Sequence, residues 1–371
     1  MADAETIATE ILAKAGVTVG GTAAHDIAVH DPRFYDRVLS ERELGLGESY
    51  QDGWWDANQL DEFLTVVQTA DLRSLIRPSL AMASATLGAR LRNQQTKRLA
   101  TTNARAHYDI GNELYERMLD KRMIYTCGYW REATDLDSAQ EAKLDLICRK
   151  LGLERGMRLL DIGCGWGGFA QLAAERYDVH VTGISPAGEQ VAVARERTAS
   201  LPVRIEQLDY REVEGSFDRI TSIGMMEHVG PKNLGTLFEK CRELLEPDGV
   251  MLHHSIGSND WKSVGDPWFN KYIFPGGVLP SLGQVARAAE GDWSVEDVHN
   301  FGPDYDTTLM AWHENISARW HEVPQYDERF RRTWDYYLLG SAAAFRSRSS
   351  QLFQMVFTRS RQRRGVFPTI R

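Results

Sequence analysis

Apolar positions along this chain recur with two different spacings, and the change from one to the other divides it. Up to about residue 150 the helical period dominates. Thr6 to Ala15, Pro32 to Ser40 and Leu60 to Ala70 read as helices, with a short strand at His25 to Val29. Leu72 to Arg98 is a basic helical run rich in Ala, Leu and Met, interrupted by Pro78. Glu113 to Leu119 reads as a short helix. Ser138 to Leu151 reads as a regular amphipathic one, with Leu144, Ile147, Cys148 and Leu151 on its apolar face. Two stretches break the pattern. Gly45 to Asp56 is rich in glycine and aromatics and is expected to be a loop packed against a core. Met123 to Trp130 is dense in aromatics and holds one thiol, Cys127.

From Met157 onward strand-like and helical runs alternate. Strands are expected at Met157 to Ile162, Asp178 to Ile184, Val203 to Gln207, Phe217 to Ile223 and Val250 to His254. Helices are expected at Phe169 to Tyr177, Ala187 to Thr198 and Asn233 to Leu245. Such alternation means an α/β fold with an open, mostly parallel sheet, whose ligand sits beyond the carboxyl ends of the strands. The first strand runs straight into Gly163-Cys164-Gly165-Trp166-Gly167-Gly168 and then a helix. Glycines there let a ligand approach bare backbone, and the helix start presents unpaired N–H groups. Polar residues follow the other strands: Ser185, then Asp209 and Tyr210, then Glu227 and His228, then His254. Their convergence places the chemistry on one edge of the sheet.

Composition narrows the setting. At 371 residues the chain exceeds one ordinary core and is expected to hold two domains. Its four cysteines show no close metal-type pairing, which favours a reduced, cytoplasmic environment. The N-terminus is acidic and lacks a basic-then-apolar leader pattern, and no apolar run approaches the roughly 18 residues that span a bilayer. The net charge of −9 is uneven: Leu72 to Arg105 and Tyr336 to Arg371 each carry seven basic residues and no acidic one. Two basic segments on an acidic chain suit an anionic surface, lipid or nucleic acid; the bland alternative is solvated helix faces.

The glycine turn alone says only that a nucleotide-like ligand binds. A dinucleotide site asks for a carboxylate about 20 residues further on, and here that strand ends Val181-Thr182-Gly183-Ile184-Ser185-Pro186 without one. Asp209 and aromatic Tyr210 suit a purine and a sulfonium better than a pyrophosphate. Six segments then act together: Gly45 to Trp55, Tyr125 to Trp130, Leu159 to Gly168, Gly224 to Asn233, Asp266 to Pro275 and Asn300 to Trp312. With them the chain resembles the cyclopropane-fatty-acyl-phospholipid synthases, S-adenosylmethionine-dependent enzymes that add a methylene across a lipid double bond.

The resemblance implies a Rossmann-like class I methyltransferase domain over 105–371 and a smaller, mostly helical, lipid-capturing domain over 1–104. It implies a bicarbonate ion held by Cys127, Glu227, His254, Tyr305 and the backbone at Ile256, with S-adenosylmethionine on Tyr125, Thr126, Gly163, Gly165, Gly167, Ser185, Gln190, Asp209 and Tyr210. It also implies a homodimer, no metal, and peripheral, non-spanning association with anionic phospholipid at the inner face of the membrane. The chemistry fits those residue types. An alkene is a weak nucleophile and needs the sulfonium methyl; attack leaves a carbocation that aromatic faces stabilise. A base must then remove a proton from the new methyl so that the ring closes. His254 and Tyr305 can donate hydrogen bonds to bicarbonate, and Glu227 can accept its proton. One departure is Ser341, where family members often carry a cysteine; that thiol is dispensable if this chain is active.

Each residue has a bland reading as well. Cys127 and Cys164 are by default buried small hydrophobes, and that reading is preferred for Cys164. Glu227 would cap the following helix, while His254, Tyr305 and the tryptophans would be core. Other functions remain: a related lipid C-methyltransferase giving methyl-branched or methylene chains, or a non-catalytic lipid-binding protein. A nucleic-acid methyltransferase is disfavoured, because the Asn/Asp-Pro-Pro-Tyr/Phe loop used for base chemistry is missing after the fourth strand.

Overall fold

Asp3 accepts a hydrogen bond from the Thr6 amide at 2.8 Å and so starts the first helix, Ala4–Lys14, by satisfying one of its free N–H groups. The helices Arg33–Glu41 and Leu60–Thr69 also form where the period places them. A two-stranded antiparallel ribbon pairs β1 (Ile27–Val29) with β2 (Trp55–Ala57). The computed structural model describes residues 3–70, 110–261, 265–361 and 367–371, so the basic run Leu72 to Arg105 lies outside the described residues.

The chain divides into two compact units, each assembled from three separate stretches. The first comprises Met1–Asn93, Val264–Pro275 and Tyr305–Ser350. The glycine-rich stretch expected to be a loop is here a helix, Glu43–Gln51, with every residue from Gly45 to Gln51 buried. Glycine lowers helix propensity by about 1 kcal/mol, but close packing needs it. A Cβ on Gly47 would lie 2.4 Å from Cδ1 of Trp268. Around this helix Tyr50, Trp55, Phe63, Trp268 and Tyr336 form one aromatic cluster, with centroid distances of 5.1 Å for Tyr50–Trp55 and 4.6 Å for Trp268–Tyr336. Gln51 ties three segments together, accepting from Trp268 Nε1 at 3.2 Å and donating to Thr333 Oγ1 at 2.7 Å. Buried Glu48 accepts from Lys271 Nζ at 2.6 Å and from Tyr272 Oη at 2.9 Å. Burial alone would raise its pKa; these two donors and Arg37 hold it below the ordinary value.

The second unit comprises Gln94–Ser263, Gly276–Asp304 and Gln351–Arg371 and holds a seven-stranded sheet. Its strands are β3 (Arg158–Ile162), β4 (His180–Ser185), β5 (Val203–Gln207), β6 (Phe217–Ile223), β7 (Leu245–Ser258), β8 (Trp293–Asn300) and β9 (Ser350–Arg359). The order is β5-β4-β3-β6-β7-β9-β8; the five strands β5 to β7 are parallel and β8 runs antiparallel to β9. The strand order reverses at β3, which puts the glycine turn at the switch point where open parallel sheets bind ligands. Alternate residues feed two cores, Leu160, Met251 and Phe357 on one face and Leu159, Leu252 and Val356 on the other. The helix Leu136–Leu151 covers the latter face, set by an Asp135–Ser138 capping box and ended by Gly152 at φ 57°.

The arginine-rich C-terminal segment is engaged internally where it is described. Arg346, in the first unit, forms a two-pronged pair with Asp306 at 2.9 and 3.0 Å and also bonds Asp61 and Glu62. In the second unit Arg371 forks onto Asp297 at 2.7 Å, and Arg359 bonds the Leu245 carbonyl. For these three residues intramolecular pairing replaces the expected anionic surface.

Gly47→Ala tests the helix packing. Overpacking against Trp268 is expected to cost about 1–3 kcal/mol, against a propensity gain of roughly 1 kcal/mol. The outcome should be a lower urea midpoint with an unchanged slope.

Candidate active site

The turn after β3 is built by three left-handed glycines: Gly163 at φ 87°, Gly165 at φ 53° and Gly167 at φ 82°. The amides of Gly163 and Cys164 both donate to the Ile184 carbonyl at 2.9 Å, which pins the turn to β4. Gly167 leads into the helix Gly168–Tyr177 with no side chain capping it. A Cβ at Gly167 would sit 3.0 Å from the Ala194 Cβ, whereas a Cβ at Gly165 would meet nothing within 4 Å. The turn is therefore tight on the protein side and open at Gly165. Cys164 is buried and packs in the core, as its bland reading had it.

The neighbouring strand ends supply polar groups. Ser185 closes β4 and is buried; its Oγ accepts from the Ala187 amide at 3.2 Å and donates to Gln190 Oε1 at 3.3 Å. Asp209 accepts from the Arg211 amide at 3.0 Å and so starts the short turn of helix that carries Tyr210. The Tyr210 hydroxyl is buried without a protein partner, and the Arg211 guanidinium stands 4.9 Å from its ring. Tyr125 meets the turn through Tyr115, whose ring lies 5.1 Å from Tyr125 and 4.9 Å from Trp166. Thr126 packs against Gly224, where an added Cβ would be 2.5 Å from its Cγ2. Left-handed glycines, an uncapped helix start, an open side and an unpartnered tyrosine hydroxyl fit a cofactor with a polar tail and a flat base.

A second group forms around β7. The strand does not stop at His254 as expected but continues to Ser258, so His254 and Ile256 lie within it on one face. Adjacent His253 points to the opposite core, between Phe238 and Phe357, where burial lowers its pKa to about 3. Register sets Ile223 of β6 beside His254, and the Gly224 amide donates to the His254 carbonyl at 2.8 Å. Three residues later Glu227, in the one-turn helix Met226–Val229, accepts from the Ile256 amide at 2.7 Å with Oε1. Its Oε2 is buried with no partner. Burial raises this carboxyl to about 7, against the hydrogen bonds that lower it.

His254 is fully buried and its pKa lies well below the ordinary value, first through burial and then through the positive fields of Lys143 and Lys150. The Gln354 side-chain amide lies 3.3 Å from Nδ1 and ties the ring to β9, with donor and acceptor set by the imidazole tautomer. The ring's Nε2 has no partner. The site thus keeps two buried polar atoms without protein partners, Glu227 Oε2 and His254 Nε2. Phe301 stands edge-on to His254 at 5.8 Å and Tyr129 edge-on to Phe301 at 5.3 Å, an aromatic wall beside them. Cys127 is fully buried, its thiol donating to the Gly128 carbonyl at 3.1 Å. Tyr305 belongs to the first unit, where its ring stacks on Phe345 at 4.4 Å.

The profile of the family described as mycolic acid cyclopropane synthetase matches residues 95–355. The cyclopropane-fatty-acyl-phospholipid synthase of Escherichia coli strain K12 is 50% identical over 354 residues, 95% of this chain and 93% of its own. The chain belongs to the cyclopropane-fatty-acyl-phospholipid synthase family. The tuberculostearic acid methyltransferase UfaA1 of Mycobacterium tuberculosis is 31% identical over 91% of this chain and 84% of its own. The solved structure of the mycolic acid cyclopropane synthase CmaA1 complexed with SAH and CTAB superposes with a TM-score of 0.65 at 33% identity, covering 69% of this chain and 97% of that one. The family member described here is an S-adenosylmethionine-dependent methyltransferase of class I fold with a helical N-terminal region. No helix among its described residues is long and apolar enough to cross a membrane.

Three contributors escaped the sequence reading: Asp161, Lys143 and Gln354. Asp161 is buried with both carboxylate oxygens unpartnered, and burial raises it to about 7. Lys143 gave a usable signal, since a lysine beside Leu144 and four residues before Ile147 falls on a buried helix face. Gln354 gave none, because its strand was not predicted.

Glu227 and Asp161 hold protons in the folded protein where the unfolded chain has released them. Stability is therefore expected to fall as pH rises from about 4.5 towards 7. Glu227→Gln should flatten that slope and gain more, relative to the unmodified protein, at about pH 8 than at about pH 4.5 in urea titrations.

Proposed function

We propose that this enzyme transfers a methylene from S-adenosylmethionine to the cis double bond of unsaturated acyl chains in membrane phospholipids, with bound bicarbonate as the base. The observation that carries the reading is the two buried polar atoms without protein partners, Glu227 Oε2 after β6 and His254 Nε2 on β7. Bicarbonate has one O–H to give and several oxygens that accept, so it can satisfy both. When bound, the cofactor supplies an electrophilic methyl, and bicarbonate supplies a base small enough to reach it.

The protein's own residues then have distinct tasks. His254, kept neutral by burial, holds the ion through Nε2 without competing for the proton. The Ile256 amide donates to Glu227 at 2.7 Å and the Ile256 carbonyl accepts from the Ser255 hydroxyl at 3.0 Å, so this backbone positions Glu227 rather than offering the ion a free group. Glu227 titrates near neutrality and can take on the proton and release it each turnover. Cys127 is the further proposed contact of the ion within the second unit. Tyr125, Thr126, Gly163, Gly165, Gly167, Ser185, Gln190, Asp209 and Tyr210 are the proposed cofactor contacts. Aromatic faces such as Phe301 and Tyr129 suit a transient carbocation, because they stabilise charge and offer no lone pair for it to capture.

Residues 1–104 are proposed to capture phospholipid, and 105–371 to form the catalytic domain. The support is the relatives' coverage of both regions and the charge of Leu72 to Arg105. Peripheral attachment to anionic lipid at the inner face of the membrane and a homodimer belong to the same proposal.

Glu227→Gln is expected to lower turnover by at least about 100-fold while leaving S-adenosylhomocysteine affinity within about threefold. Titration calorimetry and a labelled-methyl assay on unsaturated phosphatidylglycerol vesicles would measure the two. Mass spectrometry of the product lipids should show a cyclopropane ring with one added CH₂. A methyl-branched or methylene chain would move the assignment to a related lipid C-methyltransferase, and ordinary turnover by the variant would remove Glu227 from the mechanism.

A further inference from the structure

The helix Leu136–Leu151 presents an unusual surface to the chain segment that precedes it. Gln140 and Lys143 are both fully buried on it, among Ala139, Leu144 and Ile147. Both reach the same residue. Gln140 Nε2 donates to the Thr126 carbonyl at 2.7 Å, and Lys143 Nζ donates to the Thr126 hydroxyl at 2.7 Å. The Tyr129 amide adds a third tie, to the Ala139 carbonyl at 2.9 Å. On its other side Thr126 presses its methyl onto Gly224, the residue that begins the turn to Glu227. The tripeptide Tyr125-Thr126-Cys127 is thereby clamped between one helix and the end of β6.

We infer that Lys143 is a positioning residue: its hydrogen bond to the Thr126 hydroxyl holds Tyr125 to Cys127 in the conformation that receives the cofactor. The inference rests on the reading that Tyr125 and Thr126 line the cofactor site. A buried ammonium costs several kcal/mol in desolvation, and a methionine would fill the same helix position at no such cost. What the lysine adds is a directional donor of fixed reach. Burial pulls Lys143 down to about 8, which still leaves the ammonium, the stronger donor, as the main form at neutral pH. Asp120 shapes the same segment, accepting from the Ile124 and Arg122 amides at 2.7 and 2.9 Å.

Titration calorimetry with S-adenosylhomocysteine, with vesicle turnover measured in parallel, tests this. Lys143→Met and Thr126→Val should each weaken binding of that ligand by at least about tenfold, with the KM for lipid unchanged. The double variant should bind no worse than the weaker single one, because both remove the same bond. Thr126→Ser keeps the acceptor and should bind within about threefold of the unmodified protein. Because Thr126→Val leaves Lys143 in place, it can still overturn the inference if Lys143→Met does not fold. Unchanged binding in Thr126→Val, or losses that multiply in the double variant, would overturn the inference. Absence of a ring product from the unmodified enzyme would instead overturn the proposed reaction, leaving the binding comparison intact.

Discussion

One hydrogen bond, from the Ile256 amide to Glu227, sets the terms for the second unit. It joins the loop after β6 to the body of β7, and it does so with a carboxylate sealed from water. A buried carboxylate that uses only one oxygen pays a desolvation cost for the other. That cost shows as a pKa near neutrality, and it leaves a group that exchanges a proton readily. Neutral His254, two residues before Ile256, faces the same side of the strand. β7 and the short segment after β6 therefore supply both buried groups, and the bond from the Ile256 amide fixes where Glu227 sits against the strand.

The second unit was largely legible from residue pattern. Leu159 to Gly168 announced strand, turn and helix because an apolar run ending in glycines has few other ways to fold. β5 and β6 begin and end where alternation placed them. What pattern missed was decided by packing. Glu43–Gln51 is helical in spite of its glycines because Gly47 must pass close to the Trp268 ring, a partner more than two hundred residues away in the chain. β7 extends past His254, beyond its last pairing with β6, to Ser258, whose amide donates to the Pro280 carbonyl at 3.0 Å; periodicity within one segment carries no information about such neighbours.

The candidate site was legible to a different degree. Strand ends pointed to Ser185, Asp209 and Glu227, but the commitment of the Ile256 amide to Glu227 is a tertiary fact with no local signal. Lys143 reads in the sequence as one polar residue on an apolar stripe, a pattern that surface helices show often. Charge counting was the least informative guide. Arg346, Arg359 and Arg371 looked like part of a basic surface and are instead bonded to groups of the protein itself. Composition gives the sign of a segment, whereas acids from distant stretches decide where that sign is spent.

The assembly of the first unit from three separated stretches bears on how the protein is made. Trp55, Phe34 and Phe63 leave the ribosome early, yet the helix Glu328–Arg346, which packs against Leu60–Thr69 and Glu43–Gln51, is translated near the end. The aromatic face of the early segment has to wait, uncovered, while most of the polypeptide is synthesised. During that interval the nascent chain depends on chaperones or on transient collapse to avoid association with its neighbours. Chains released before residue 328 would carry this face unprotected, so premature termination would feed aggregation rather than yield a short, folded fragment.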